Sequence, residues 1–300
     1  MFQMPDENMQ CPVCNNEKFS RYLSGKDYFL TGEPFNIIQC AACGFLMTEP
    51  VPPPDAIGRY YESTEYISHD AEEKNLLTFL YRTARFFTIR SKYRQFKKYS
   101  AGPRLLDIGC GTGEFLGFCK KKGALCSGIE PNPKARRVAS EKYGLEIKDK
   151  ISFMHEEERS YDCITMWHVL EHVHDLNGTL TLLRKTLKES GILILALPNP
   201  GSWDAKHYGE HWAAFDLPRH LYHFRTEHVE ALANKYGFIL KKILPQYLDA
   251  FYISMLSEKY RHGKKDPLRG VINGIRSNFT APKPSFGYSS HIYILSANIS

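Results

Sequence analysis

The chain has 300 residues, enough for one large domain or two modest ones, and its 43% apolar and 24% charged residues describe a globular protein with ample material for a core. A formal charge of +6 is a mild surplus, short of what an obligate nucleic-acid binder carries. The opening MFQMPDENMQCPVC has neither a basic start nor an apolar run, and no apolar stretch reaches the roughly 18–20 residues of a membrane span, so a cytoplasmic location without a membrane partner is expected.

Two short cysteine-bearing turns, CPVCNNEKF and CAACGFLMTEP, fill the first part of the chain, and the proline-rich PVPPPDA closes it. YYESTEYISH, with Tyr60, Tyr61 and Tyr66, has no clear period; its tyrosines can close over a ligand or pack between two modules. From Ala71 to Tyr99 there is no Pro or Gly, and Leu76, Leu77, Leu80, Phe87 and Tyr93 recur at near-helical spacing. That predicts one or two helices, whose interleaved basic and aromatic residues are read as a solvated face over buried rings in preference to a nucleic-acid face.

From Arg104 the chain alternates: strand RLLDIG, helix GEFLGFCKKK, strand ALCSGIE, helix NPKARRVASEKY, short strand LEIK, strand YDCITMWHV, helix LNGTLTLLRKTLKES, strand GILILALP. Short apolar strands between amphipathic helices predict an α/β fold with a parallel sheet covered on both faces. Gly123, Gly144, Gly191 and Gly237 stand where left-handed helix caps are expected. GSWDAKHYGEHWAAFDLPRHLYHF then breaks the pattern, helix TEHVEALANKYG and strand FILKKILP resume it, DAFYISMLSEKYRHGKK reads as helical, and SSHIYILSA is a closing strand. The implied division is a four-cysteine module at 1–55, a helical linker or cap at 56–102, and a main domain at 103–300 with insertions near 199–226 and 246–288.

LLDIGCGTGEF places Gly109, Gly111 and Gly113 between a strand and a helix, in the spacing G-x-G-x-G. A dinucleotide fingerprint would need its third glycine where Glu114 stands, and no Lys-Ser/Thr pair follows for a phosphate loop. Asp107, two residues before the first glycine, would repel a pyrophosphate and attract a ligand carrying an ammonium and a sulfonium. S-adenosylmethionine has both. Glu130, about twenty residues past the glycines, is placed to accept both hydroxyls of a ribose.

LLDIGCGTGEF, GIEPN and YDCITMWHVLEHV resemble the first motif, ribose acid and fourth-strand motif of class I S-adenosylmethionine-dependent methyltransferases. The resemblance implies a Rossmann-like sheet of order 3-2-1-4-5-7-6 with strand 7 antiparallel, SSHIYILSA being that strand. It implies that Gly109, Gly111 and Gly113 approach the methionine moiety, that Glu130 holds the ribose, and that Trp167, His168 and Val169 line the cofactor. Asp149, in IKDKISF, is the nearest candidate for an acid at the adenine amine. The product would be S-adenosylhomocysteine.

Cys11-x2-Cys14 and Cys40-x2-Cys43 form two thiolate hooks separated by twenty-five residues, a gap that can hold a hairpin. Such a pair suits one tetrahedral zinc-ribbon-like Zn2+ site with no open position, hence a folding role. The other cysteines, Cys110, Cys119, Cys126 and Cys163, lie in core-like segments, which favours reduced thiols over a disulfide framework.

Substrate choice falls to the insertions. His207, His211, His220 and His223 lie beside Trp203, Tyr208, Trp212 and Tyr222 outside regular elements, where open α/β sheets bind ligands. An imidazole can take the proton that methylation of a hydroxyl or amine releases, which makes His220 and His223 the first base candidates and His168 the next. Asp216 and Arg219 orient that base, hold an anionic substrate or form one loop-fixing ion pair. The stretch EHV resembles one common in quinone-type methyltransferases, where the His–Glu pair, here His172 and Glu171, braces the turn after the strand. The expected function is methyl transfer to a small polar metabolite, a nucleotide-linked sugar or glycan precursor being the first to test, through the resemblance of the module and W…DLPRHLYHF…GF to bacterial enzymes of polysaccharide and deoxysugar pathways. RNA methylation is the alternative, opposed by the modest charge and by MWHV where an N-P-P-Y motif would stand; a non-catalytic cofactor-binding scaffold is the second. The oligomeric state is open.

Overall fold

The computed structural model describes residues 9–62, 76–283 and 285–298. Tyr66 lies outside them, and the predicted core positions Leu76, Leu77 and Leu80 have no described side chains. Helix α1 (Leu76–Tyr99) is a single 24-residue helix where one or two were expected.

The main sheet grows from the apolar runs read above. In chain order its strands are β4 (Arg104–Ile108), β5 (Leu125–Ile129), β6 (Glu146–Lys148), β7 (Tyr161–Trp167), β8 (Leu187–Pro198), β10 (Phe238–Pro245) and β11 (Ser290–Ala297). Between them lie helices α2 (Glu114–Lys121), α3 (Pro133–Tyr143), α4 (Leu176–Thr186), α5 (Trp203–Tyr208), α6 (Thr226–Lys235), α7 (Asp249–His262) and α8 (Pro267–Thr280). The strand order is β10-β11-β8-β7-β4-β5-β6. β6, β5, β4, β7 and β8 run parallel, while β11 is antiparallel to both β8 and β10. This is the expected 3-2-1-4-5-7-6 sheet with strand 7 antiparallel. All seven residues of β7 are buried, as a central strand covered on both faces requires.

One boundary differs. The helical pattern was expected to run to Ser190, but α4 stops at Thr186 and β8 begins at Leu187, which is fully buried and pairs with Tyr161. Burial of Leu187 in the sheet wins over the continuing helical period. Gly191 therefore lies within β8 and caps nothing, whereas Gly123, Gly144 and Gly237 have the positive φ of left-handed caps, at +89°, +60° and +73°.

The N-terminal hooks sit on a second sheet. β1 (Phe19–Lys26), β2 (Pro34–Cys40) and β3 (Leu46–Glu49) pair antiparallel, and β9 (Tyr222–His223), from the insertion after β8, completes the sheet beside β3. Thr48 N–H donates to the Leu221 carbonyl at 3.0 Å. Cys11, Ile38, Phe45 and Met47 share one core with Leu221, Phe224 and the main-sheet residues Leu106 and Ile164.

A buried cation fastens this junction. Arg219, 2% exposed, donates to Asp27 Oδ1 at 3.0 Å, to Asp216 Oδ1 at 2.7 Å and to the Tyr60 carbonyl at 3.0 Å. Asp27 in turn accepts from the backbone N–H groups of Phe29, Leu30 and Thr31. The guanidinium fork thus replaces its lost hydration with acceptors on three segments. Arg219→Met would leave two carboxylates without their cation and should destabilise the protein by about 3–5 kcal/mol, read from urea unfolding; an unchanged midpoint would remove this joint from the account.

Candidate functional site

β4 delivers the chain into the glycine turn at the carboxyl ends of the parallel strands. Gly109, Gly111 and Gly113 have φ of +72°, +54° and +75°, values that side chains rarely adopt. The three differ in what surrounds them. A Cβ at Gly109 would come 2.4 Å from Val169, and one at Gly113 would come 2.7 Å from Ala139, so both are held by packing. A Cβ at Gly111 would meet nothing within 4 Å, so its bare backbone faces open space. Glu130, just past β5, accepts from Gly111 N–H through one oxygen and from Asn132 N–H through the other, each at 2.9 Å. The acid at the end of the neighbouring strand thus braces the turn and the start of α3, with lone pairs left for a ligand.

Asp107 lies below the turn, 3% exposed, and accepts from Thr165 Oγ1 at 2.6 Å. Burial raises its carboxyl to about 7, against the pull of the Lys92 ammonium and the Thr165 hydrogen bond. Lys92 comes from α1 and lies 4.7 Å over the Trp167 ring. Burial in turn draws that ammonium below its ordinary value. Trp167 meets Phe115 edge-on at 5.8 Å, and its buried indole N–H has no acceptor among the described residues. A crevice with a bare turn, an acid at its floor and an orphan donor on its wall fits a ligand that carries positive charge and acceptor atoms. The helix-spacing argument identified α1 but gave no signal that Lys92 would reach this point.

At the end of β7 the chain turns sharply. His168 has φ +58° and Val169 packs on Gly109, which sets the next three residues beside the glycine turn. His168 Nε2 lies 3.0 Å from Asp249 Oδ2, at the start of α7, and its Nδ1 lies 3.5 Å from Glu171 Oε1. Burial opposes charge on this ring, but the two carboxylates outweigh it and raise its pKa to about 10. His168 is therefore an imidazolium near neutral pH and in that state accepts no proton.

Glu171 is fully buried, and neither carboxylate oxygen has a hydrogen-bond partner among the described residues. Burial works against its charge, yet His168, His220 and His172 hold its pKa below the usual range. An anion this deep without hydrogen bonds is balanced by the charged His168 ring beside it. His220 Nδ1 is 2.9 Å from the Ala214 carbonyl, which fixes the proton there in the neutral ring and leaves the Nε2 lone pair free. That Nε2 lies 3.9 Å from Glu171 Oε1 and 4.0 Å from Asp216 Oδ2. His172 meets the His220 ring edge-on at 4.6 Å, and its Nδ1 is held by the Arg219 carbonyl and the Tyr61 hydroxyl. Burial lowers the His172 pKa to about 4, so it is neutral. Glu171, His172 and His220 present one ligand atom each within 4.8 Å of one another, a donor set that divalent cations also accept.

The remaining candidates lie elsewhere. His223 is buried in β9 with Nε2 3.1 Å from Thr48 Oγ1, and burial lowers its pKa to about 3. His207 stacks on Trp203 and His211 tilts against Tyr28, both away from the Glu171 cluster. Asp149 is exposed just beyond β6, at the carboxyl edge of the sheet. Tyr60 is buried and bonds Glu33, so of the two described tyrosines only Tyr61 reaches the cluster.

The four hook thiols converge. Cys11 and Cys43 sulfurs are 3.5 Å apart, as are Cys14 and Cys40, and all four lie within 4.8 Å of one another. Each hook closes through a left-handed residue, Asn15 at φ +60° and Gly44 at φ +75°, whose N–H donates back to the Cys11 or Cys40 carbonyl. A tetrahedron of roughly 2.3 Å Zn–S bonds has sulfur–sulfur edges of roughly 3.8 Å, close to these spacings.

Residues 81–242, over half of the chain, match the family described as Methyltransferase domain, and the chain belongs to that family. A ubiquinone biosynthesis O-methyltransferase of Xanthomonas oryzae pv. oryzae is 29% identical over 147 residues, covering 46% of this chain and 61% of the relative. The one from Pelagibacter ubique is 32% identical over 118 residues, 38% of this chain and 48% of the relative. The chain thus matches less than two thirds of the length of these relatives. Among solved structures, a S-adenosylmethionine-dependent methyltransferase from Archaeoglobus fulgidus superposes with TM-score 0.50 at 21% identity, over 72% of this chain and 98% of that one. Phosphoethanolamine N-methyltransferase 2 of Haemonchus contortus, bound to S-adenosyl-L-methionine, gives 0.52 at 16% identity, over 93% and 68%. These two share the fold.

Proposed function

We propose that the protein transfers the methyl group of S-adenosylmethionine to a hydroxyl of a small molecule, with His220 as the general base. The observation that carries this reading is the placement of His220 Nε2, unprotonated in the neutral ring, beside Glu171 in the loop cluster that packs on the glycine turn. The family membership supports the cofactor, and the O-methyltransferase relatives support oxygen as the acceptor atom.

S-adenosylmethionine, when bound, supplies the methyl carbon to the acceptor oxygen and departs as S-adenosylhomocysteine. Asp107 attracts its positive charge, Glu130 and Asp149 take its ribose and adenine, Gly111 leaves room for it, and Trp167 and Val169 wall the crevice with Gly109 and Gly113 shaping the turn. His220 Nε2 takes the hydroxyl proton, and Glu171 and Asp216 stabilise the imidazolium that forms. His168, already charged, orders Glu171 and adds positive potential beside an oxygen that is losing its proton. His223 packs edge-on against Phe215 of the same insertion at 5.3 Å and reaches the Thr48 hydroxyl, so it steadies the loop that carries the base. Closeness and exclusion of water supply the rest of the rate.

His220→Ala should lower turnover by about 10²- to 10⁴-fold, scored as S-adenosylhomocysteine formed with a panel of phenolic and nucleotide-sugar hydroxyls, at nearly unchanged cofactor affinity. Equal loss of both would make His220 a structural residue. Nucleotide-linked sugars or glycan precursors are the acceptors we favour first. Asp107 is neutral below its raised pKa and anionic above it, so S-adenosylmethionine should bind more tightly as the pH is raised through about 7. Asp107→Asn should flatten that dependence in calorimetry; an unchanged profile would assign the charge attraction to another group.

We further propose that Cys11, Cys14, Cys40 and Cys43 hold a zinc ion that serves folding. Four thiolates satisfy tetrahedral zinc and leave no open position for chemistry. Purified protein should carry a single zinc equivalent by elemental analysis, and Cys14→Ser with Cys40→Ser should lose it together with thermal stability. A metal-free variant with the parent melting temperature would refute a folding role.

A further inference from the structure

Helix α8 is turned inside out. The face it packs on α7 is made of Gly270, Asn273, Gly274 and Ser277, all buried. A Cβ at Gly270 would come 2.5 Å from Met255, and one at Gly274 would come 2.8 Å from Phe251, so the small residues permit close backbone approach. Asn273 donates to Tyr208 and Glu258, and Ser277 donates to Asp204. This inner face is polar and satisfied.

The opposite face carries Leu268, Val271, Ile272, Ile275 and Phe279, all exposed, with Leu268 at 71% and Phe279 at 81%. At about 100° per residue these five fall within an arc of roughly 100°, opposed to the buried face. Tyr247 and Leu248, also exposed, continue the patch where Asn278 bonds the Tyr247 carbonyl. A continuous apolar stripe of this kind marks an interaction surface. The charge around it is mostly basic. Between Lys264 and Lys283 stand Lys264, Lys265, Arg269, Arg276 and Lys283 against one acid, Asp266, which caps the helix and pairs with Arg269 at 3.4 Å. Arg269 and Arg276, two turns apart, flank the stripe along the same side.

We propose that α8 docks the protein on an anionic lipid bilayer, its stripe inserted among the acyl chains at the headgroup boundary and its basic rim on the lipid phosphates. The projecting side chains favour this occupant: exposure this high describes knobs on a convex helix, whereas a peptide partner needs a groove. A second copy would set one basic rim against another. A strong apolar face with flanking arginines is the pattern of helices that lie in the membrane interface. Peripheral docking needs no spanning segment, so it departs from the expectation that no membrane is a partner. Asp249, the first residue of α7, holds His168, so the docked helix pair borders the candidate site.

The test is independent of methyl transfer. The full chain is sedimented with phosphatidylcholine vesicles with and without phosphatidylglycerol, at low and high salt. Binding to the anionic vesicles that weakens with salt is expected. Leu268→Ser with Phe279→Ser should reduce partitioning about tenfold or more, and Arg269→Gln or Arg276→Gln about fivefold for each charge removed. Circular dichroism of these surface variants should match the parent. No association with phosphatidylglycerol vesicles at low salt, or equal association of all variants, would overturn the proposal. So would a dimer in sedimentation velocity that Leu268→Ser with Phe279→Ser dissolves while vesicles are ignored, since a second copy would then cover the stripe.

Discussion

The arrangement of the site depends on a guanidinium taken out of water. Arg219 stands next to His220 in sequence and is tied at once to the N-terminal sheet, through Asp27 and Tyr60, and to its own loop, through Asp216. Its carbonyl meanwhile holds His172. One residue therefore fixes the height of the insertion, the ring of a neighbouring histidine and the position from which His220 faces Glu171. The desolvation cost of such an ion is tolerated because all three nitrogens donate, to Asp27, Asp216 and the Tyr60 and Leu217 carbonyls, and the same property makes it intolerant of a missing partner.

Around Glu171 the protein sets three imidazoles in different surroundings beside one carboxylate. His168 lies between two acids and is charged; His172 has burial and another imidazole against it and is neutral. His220 has a proton fixed on the side away from Glu171 by a backbone carbonyl. Residue type alone could not have separated these rings, since all three belong to aromatic, histidine-rich stretches.

What the sequence made legible was local. The glycine turn, Asp107, Glu130 and the cysteine hooks each declare themselves through spacing within one or two elements, and the parallel sheet follows from apolar runs set between helices. What it hid depends on distant segments meeting. His220 finds Glu171 across two helices and a strand, Asp249 reaches His168 from the far side of β10, and β9 is two residues long and lacks any period of its own. Lys92 reads as one more cation on a basic helix until the fold lays it over Trp167. Helix α8 goes unread: 267–280 falls within an insertion with no element assigned, and the side it buries is made of Gly270, Asn273, Gly274 and Ser277 in place of an apolar stripe.

The pairing of β9 with β3 makes the amino-terminal module a working part of the loop that bears His220. Thr48 donates its backbone N–H to the Leu221 carbonyl and its hydroxyl to the His220 carbonyl, so the strand beside the hooks is also the shelf on which that loop rests. Excising the first fifty-odd residues would leave the loop without its ledge, and swapping the module for another would require a matching edge. On the roles proposed for them, a metal at the hooks and proton transfer at His220 would be lost together, as two readings of one cooperative unit.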